Sequence, residues 1–378
     1  MTYKIPFNRP YVTGREYEYI QQAIAAGHIS GDGAFTKRCQ ELLEARLPGA
    51  RVMLTTSCTD ALEMCALLLN LAPGDEVIMP SFTFVSTANA FVLHGARPIF
   101  ADIRPDTLNI DERRLPSLIT PRTRAIVVVH YAGVGCEMDA ILEIARAQGI
   151  VVIEDNAHGL FGSYRGKALG TFGALSTLSF HETKNISCGE GGALVINDPA
   201  YIERAEILRE KGTNRSRFFR GQIDKYTWVD RGSSFLPSDL LAAFLQAQLE
   251  SADRIQALRC RIWHRFAEEL AEWCASRGAG MPAVPPHCGQ PFHMFYLLLP
   301  SLEQRQSLIA HLKARSILAV FHYVPLHLCD MGLRLGGASA SCPVTVDISD
   351  RLLRLPFYNG MTEDEQNAVI SALRMWRE

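Results

Sequence analysis

No Cys-x-x-Cys pair occurs in this 378-residue sequence, although it carries ten cysteines. Their irregular spacing, with Cys58 and Cys65 inside apolar stretches, gives no zinc knuckle or thioredoxin-like site, so no metal site is expected and the thiols are read as reduced. No uncharged apolar run reaches the ~20 residues needed to cross a bilayer. Residues Met1 to Phe7 lack a basic-then-apolar leader, and the protein is therefore expected to be soluble and cytoplasmic. Neither sign of charge prevails: 38 Lys and Arg against 40 Asp and Glu leave a net charge of -2, which gives no reason to expect nucleic acid or a membrane as partner. A glycine fingerprint is missing too. The first strand runs into Thr55-Thr-Ser-Cys-Thr-Asp60, which argues against a nicotinamide-dependent sugar oxidoreductase on a similar sheet. No internal repeat or low-complexity tract is visible.

What is present is a series of short apolar runs separated by helical spacings. Strands are expected at Met53–Thr56, Glu76–Met79, Ala96–Ile103, Ile126–Tyr131 and Ile150–Asp155. Two more follow at Ser176–Phe180 and Ala193–Ile196. Helices are expected at Gly14–Ala26, Phe35–Leu47, Ser57–Leu69, Phe82–Leu93 and Glu137–Gln148, and later at Ile202–Arg209 and Ser238–Leu270. Near-continuous apolar strands alternating with helices indicate a buried, mostly parallel sheet in a three-layer α/β/α domain. A Gly- and Pro-rich stretch, Gly278–Pro291, marks the passage to a smaller α/β domain with strands near Met294–Leu299 and Val320–Tyr323 and helices at Leu302–Arg315 and Thr362–Met375. The expected division is an N-terminal arm and helix over 1–30, a large domain over 31–277 and a small C-terminal domain over 278–378. Residues Glu210–Arg220 are polar and basic and read as a long ordered loop.

Ligands of such sheets bind beyond the carboxyl ends of the strands. That rule gathers Ser57–Thr59, Phe82–Phe84, Asp155–His158 and Ser179–Lys184. Lys184, at a strand mouth beside the turn Cys188-Gly-Glu-Gly-Gly192, can offer an amine to an aldehyde, and pyridoxal phosphate is the candidate. Asp155 follows an apolar strand, where a carboxylate is costly unless paired. A pyridinium nitrogen is one partner for it, and a helix cap or turn is the plainer alternative. Phe84 has the shape to cover a ring, and His158 stands where it packs on that ring or bonds its oxygen. Cys58 and Thr59 open a helix whose free amides suit a phosphate, with Ser179 beside them. Glu190 and the two glycines after it let the backbone pass close to the cofactor.

The order Ser-x-Thr, Phe-Thr-Phe-Val-Ser-Thr-Ala-Asn, Glu-Asp-x-Ala-His, Ser-Phe-His-x-x-Lys-Asn and Gly-Glu-Gly-Gly resembles the DegT/DnrJ/EryC1 sugar aminotransferases over essentially the whole chain. The resemblance implies a fold-type I pyridoxal-phosphate enzyme, a homodimer with active sites at the interface, a nucleotide-sugar acceptor and L-glutamate as amino donor. It implies Lys184 as the residue that bonds the cofactor and Asp155 as the partner of the ring nitrogen. Phe84 and His158 fall on the ring, Ser179, Cys58 and Thr59 at the phosphate, and His181 and Asn185 among secondary contacts. Related dehydratases carry histidine at the lysine position, so Lys184 implies transamination. Where many members place an asparagine donated across the interface, this chain has Leu236, so that contact is either absent or supplied by Ser234 or the 213–220 segment. Arg215, Arg217, Arg220 and Lys225 are the nearest cations for a diphosphate, although spacing alone does not separate that role from simple solvation. By the same likeness His322, Tyr323 and His327 enter the sugar pocket; otherwise they are core groups.

Overall fold

The computed structural model describes residues 3–377. Seven strands form the central sheet: β1 Arg51–Thr55, β2 Glu76–Pro80, β3 Arg97–Ala101, β4 Thr123–Val129, β5 Val151–Asp155, β6 Leu175–Ser179 and β7 Gly192–Ile196. Their spatial order is β1-β7-β6-β5-β4-β2-β3. The neighbours from β6 to β3 are parallel, while β7 runs antiparallel to both β6 and β1. The sheet is thus mostly parallel. Its one reversed strand follows β6 through a short connection, 180–191, with no crossover helix.

Alternate residues of each strand enter different layers, as a pleated strand requires. Val77, Met79, Ala125 and Val127 pack with Leu62, Cys65 and Phe91 on one face. Ile78, Ile126, Val128 and Val152 pack with Met138 and Ile141 on the other. At the far end of that second face, Val52, Leu54 and Val195 meet Leu43, Leu245 and Leu249. Strands buried on both sides account for the near-continuous apolar runs.

The smaller unit has a three-stranded antiparallel sheet, β8 Tyr296–Leu298, β9 Val320–Phe321 and β10 Leu352–Arg354, with β10 in the middle. Helices Leu302–Ala314 and Glu363–Met375 cover it. The long helix Ala252–Arg277 also enters this core through Ile262, Phe266 and Leu270. Arm residue Ile5 bridges to Ile317 of the same unit.

Several expected bounds move. The run Ser238–Leu270 is two helices, Asp239–Glu250 and Ala252–Arg277, broken at Ser251. The helix after β2 starts at Val85 and not at Phe82, because Phe84 keeps extended backbone at its cap (φ -71°, ψ 149°). His130 and Tyr131 leave the strand for a turn. Residues 210–220 are not wholly loop, since Arg215–Phe219 forms a short helix in which Arg215 lies over the Phe219 ring at 5.0 Å. Among the described residues no helix is long and apolar enough to cross a membrane.

Candidate active site

The carboxyl ends of β4, β5 and β6, the helix starts after β1 and β2, and residues of the small unit enclose a cavity of about 410 Å³. The register explains why these ends meet: Thr55, Gly192 and Ser179 lie side by side across β1, β7 and β6. A Cβ on Gly192 would fall onto the backbone of Ser57 and Cys58, so glycine lets β7 start against the mouth of the first helix. That helix, Cys58–Leu68, is capped by Ser57, whose Oγ accepts from Asp60 N–H at 3.0 Å. Its first amides, including those of Cys58 and Thr59, have no intrahelical acceptor and carry the positive end of the dipole. Both residues line the cavity, as does Ser179.

Asp155 ends β5 almost fully buried. Its Oδ2 accepts from Thr87 Oγ1 at 2.7 Å, its Oδ1 accepts from Ala157 N–H at 3.2 Å, and Thr87 is held by Thr83 at 2.8 Å. Lys184 sits in a turn fixed by its N–H donating to His181 O at 2.9 Å. Its side chain lines the cavity and makes no hydrogen bond or ion pair among the described residues. Burial lowers the Lys184 pKa to about 8, opposed by Cys58 and Asp155 and reinforced by Arg354. The Cys58 thiol goes the other way, up to about 12, because burial and the Asp155 charge disfavour a thiolate.

Phe84 lines the same cavity with an exposed ring, 58% accessible. His158 is buried, stacks on His293 at 4.3 Å, and its Nδ1 has no hydrogen-bond partner. Burial, with the charges of Lys184 and Arg354, holds His158 well below the ordinary histidine pKa and keeps it neutral. His322 and Tyr323 line the cavity from the small unit, stacked on each other at 3.6 Å.

Three groups of expected residues stand elsewhere. Asn185 turns away from the cavity, donating to Pro291 O at 2.7 Å and bonded to His293 Nδ1 at 2.8 Å. It braces the lysine turn against the small unit. His327 is buried with Nδ1 2.6 Å from Ser81 Oγ, as a core histidine. Arg215, Arg217 and Arg220 pair with Glu210, Glu203 and Glu206 on their own segment, and neither they nor Lys225 line the cavity. Arg215 borders a second cavity together with Ser234 and Leu236. Conversely, Thr87, His293 and Arg354 line the site without having been expected there. Thr87 lies inside a quoted motif, four residues after Thr83, and that hydroxyl spacing was its signal. Arg354 is a lone cation in the apolar run Leu352-Leu-Arg-Leu-Pro356, where a charge needs a reason.

These residues fit pyridoxal phosphate. The unpartnered amine, an ordered buried carboxylate, an orphaned imidazole nitrogen and free helix amides match the aldehyde, ring nitrogen, ring and phosphate of that cofactor.

Comparison with known proteins agrees. The spore coat polysaccharide biosynthesis protein SpsC of Bacillus subtilis is 31% identical, covering 98% of this chain and 96% of that protein. The aminotransferase TlmJ of Streptoalloteichus hindustanus superposes with a TM-score of 0.89 at 28% identity, covering 98% of each chain. Spr1654 of Streptococcus pneumoniae, solved in a pyridoxamine-phosphate (PMP) form, gives a TM-score of 0.91 at 25% identity over 98% of each chain, and it is also solved in a pyridoxal-phosphate (PLP) form. The family description DegT/DnrJ/EryC1/StrS aminotransferase matches residues 10–374. This chain belongs to that family and is a fold-type I aminotransferase that uses pyridoxal phosphate.

Proposed function

We propose that the chain moves the amino group of L-glutamate to C4 of dTDP-4-dehydro-6-deoxy-D-glucose, giving dTDP-4-amino-4,6-dideoxy-D-galactose and 2-oxoglutarate. The observation that carries the reaction type is the convergence of Lys184, Asp155 and His158 on one cavity. The substrate rests on likeness of sequence: residues 210–228, Phe82–Phe91 and Val320–His327 resemble the dTDP-4-amino-4,6-dideoxygalactose transaminase of enterobacterial common antigen synthesis.

In this reading Lys184 holds the cofactor covalently. Cys58, Thr59 and Ser179 would hold its phosphate, and Phe84 and His158 would hold its ring. Pyridoxal phosphate, when bound, supplies an aldehyde for the amino nitrogen and a ring that draws electrons from the carbon losing its proton. Asp155, oriented by Thr87 and the Ala157 amide, keeps the ring nitrogen protonated. Lys184, once released, takes the proton from the donor Cα and later delivers one to sugar C4. An amine with a pKa near 8 performs both transfers close to neutrality.

The same reading makes the protein a homodimer. A single chain exposes Phe219, Tyr226 and Trp228, the last 79% accessible, on the segment that carries the unused arginines. Covering this patch with a second copy removes it from water and carries Arg215, Arg217, Arg220 and Lys225 toward the partner's cavity as contacts for the nucleotide diphosphate.

The test is to incubate the purified protein with L-glutamate and the keto sugar and to read the product's ring-proton couplings by NMR. A small coupling between H3 and H4 is expected for the axial amine of the galacto product. A large one identifies the opposite C4 epimer and overturns the configuration.

A further inference from the structure

The ring of His158 makes no hydrogen bond among the described residues, and its buried Nδ1 has no partner. A side chain without a polar tether keeps one orientation only through packing. Three rings supply that packing: His293 is stacked on it at 4.3 Å, Tyr131 meets it edge-on at 6.0 Å, and His322 lies nearly parallel at 6.3 Å. His293 is the nearest.

His293 is itself tethered through both ring and backbone. Asn185 Nδ2 donates to Pro291 O at 2.7 Å and to Gln256 Oε1 at 3.1 Å, which leaves Asn185 Oδ1 to accept from His293 Nδ1–H at 2.8 Å. Burial, with His158 and the charges of Lys184, Arg259 and Arg354, holds His293 well below the ordinary histidine pKa. The ring is therefore neutral, in one tautomer and in one plane. Behind it Arg259 donates to His293 O, to Phe292 O at 2.8 Å and to Asn359 Oδ1 at 2.6 Å, and Asn359 donates to Asn185 O at 3.1 Å. Arg259 is buried and pairs with no carboxylate among the described residues. Its donors go to carbonyl oxygens around a bend where Phe292 takes a left-handed φ of 52°. A bulky residue is strained there, and such strain persists only where the surroundings over-determine it.

We propose that His293 is a positioning residue of the aminotransferase, its ring fixing the plane of His158 at the cofactor wall. The inference rests on His158 being a cofactor contact, as read above. Asn185, which orients His293, directly follows Lys184 in the chain. His158, His293 and the lysine turn thus form one braced unit, held from the long helix by Arg259.

The test uses the intact chain with His293→Ala, His293→Phe, His158→Ala and the double variant His158→Ala with His293→Ala. In cofactor-free protein, hydrogen exchange at histidine C2, read by peptide mass spectrometry against pH, gives the titration midpoint of His158. That midpoint lies well below the ordinary histidine value in wild type. It moves up toward that value in His293→Ala, where water replaces the ring, and stays low in His293→Phe, which keeps a flat face. An unmoved midpoint in His293→Ala overturns the proposal. Equilibrium dialysis of pyridoxal phosphate reads the consequence. Loss of the stacked pair weakens binding in His293→Ala by about 3- to 10-fold, with His293→Phe close to wild type. The same substitution adds nothing in the His158→Ala background, because His293 acts through that ring. Equal weakening in both backgrounds overturns the proposal, as does His293→Phe behaving like His293→Ala. A His158→Ala variant with wild-type cofactor affinity refutes the cofactor contact instead, and the exchange midpoint still judges His293. If His293→Ala does not fold, His293→Leu, which fills the space without a flat face, takes its place.

Discussion

An exposed lysine titrates near ~10.4, whereas burial brings Lys184 to about 8. The sign follows from the charge form that is penalised: the ammonium is destabilised, so the neutral, nucleophilic amine dominates as pH rises through the lowered value. In cofactor-free protein, trace acetylation with acetic anhydride, read by peptide mass spectrometry, should show Lys184 reacting with a midpoint near 8. A midpoint in the range of the surface lysines would refute the buried amine. Asp155→Asn keeps the shape and removes the charge that the proposed role sets against the ring nitrogen, so the glutamate half-reaction should slow by on the order of 100-fold or more, with cofactor still bound; a rate within a fewfold of wild type counts against that role. Asp155 was legible because a charge is conspicuous where an apolar strand stops, and Lys184 because it stands in the turn between Leu175–Ser179 and Gly192–Ile196, beside a glycine-rich stretch. Thr87, His293 and Arg354 were harder to read, since their importance comes from partners far along the chain, such as Asp155 for Thr87 and His322 for Arg354.

The strands were legible for a similar reason. Burial on both faces favours apolar residues along most of each strand, and the breaks between such runs mark where the chain turns. Helix ends were less so, because Phe84 and Ser251 depart from helical spacing through backbone geometry that apolar periodicity does not encode. The glycines after Glu190 illustrate what pattern alone cannot assign. They were expected to bring backbone close to the cofactor; Glu190 and Gly191 do line the cavity, while Gly192 brings β7 against the backbone of Ser57 and Cys58. Since its φ is not positive, the constraint is space and not conformation. Gly192→Ala must therefore part the strand from the helix mouth, costing about 1–3 kcal/mol as overpacking and loosening the phosphate cradle. Urea denaturation should show a lowered midpoint and equilibrium dialysis a weaker cofactor affinity. An unchanged affinity with a lowered midpoint would separate the packing role from the cradle.

In the proposed homodimer, the basic segment of one chain would serve the site of the other. The segment 210–220 carries arginines that spacing leaves between a diphosphate and solvent, and in one copy they pair with Glu210, Glu203 and Glu206 at a distance from the cavity. Those ion pairs are half exposed and so individually weak, which leaves the arginines free to exchange partners when a diphosphate arrives. If the segment serves the neighbouring site, two defects in different chains must complement. Lys184→Ala removes the amine from one chain, and Arg215→Ala with Arg217→Ala removes cations that act on the other. Each variant alone should lack sugar transfer. Co-refolded in equal amounts, half the dimers are mixed and hold one intact site of two, so activity should return to about a quarter of wild type. Return of activity is expected only if the dimers exchange; light scattering on size-exclusion chromatography checks the dimer, and native mass spectrometry, which resolves the mixed dimer from the two homodimers, checks the exchange. Mixed dimers that form and stay inactive would confine each site to its own chain and leave the exposed Trp228 patch without a catalytic purpose.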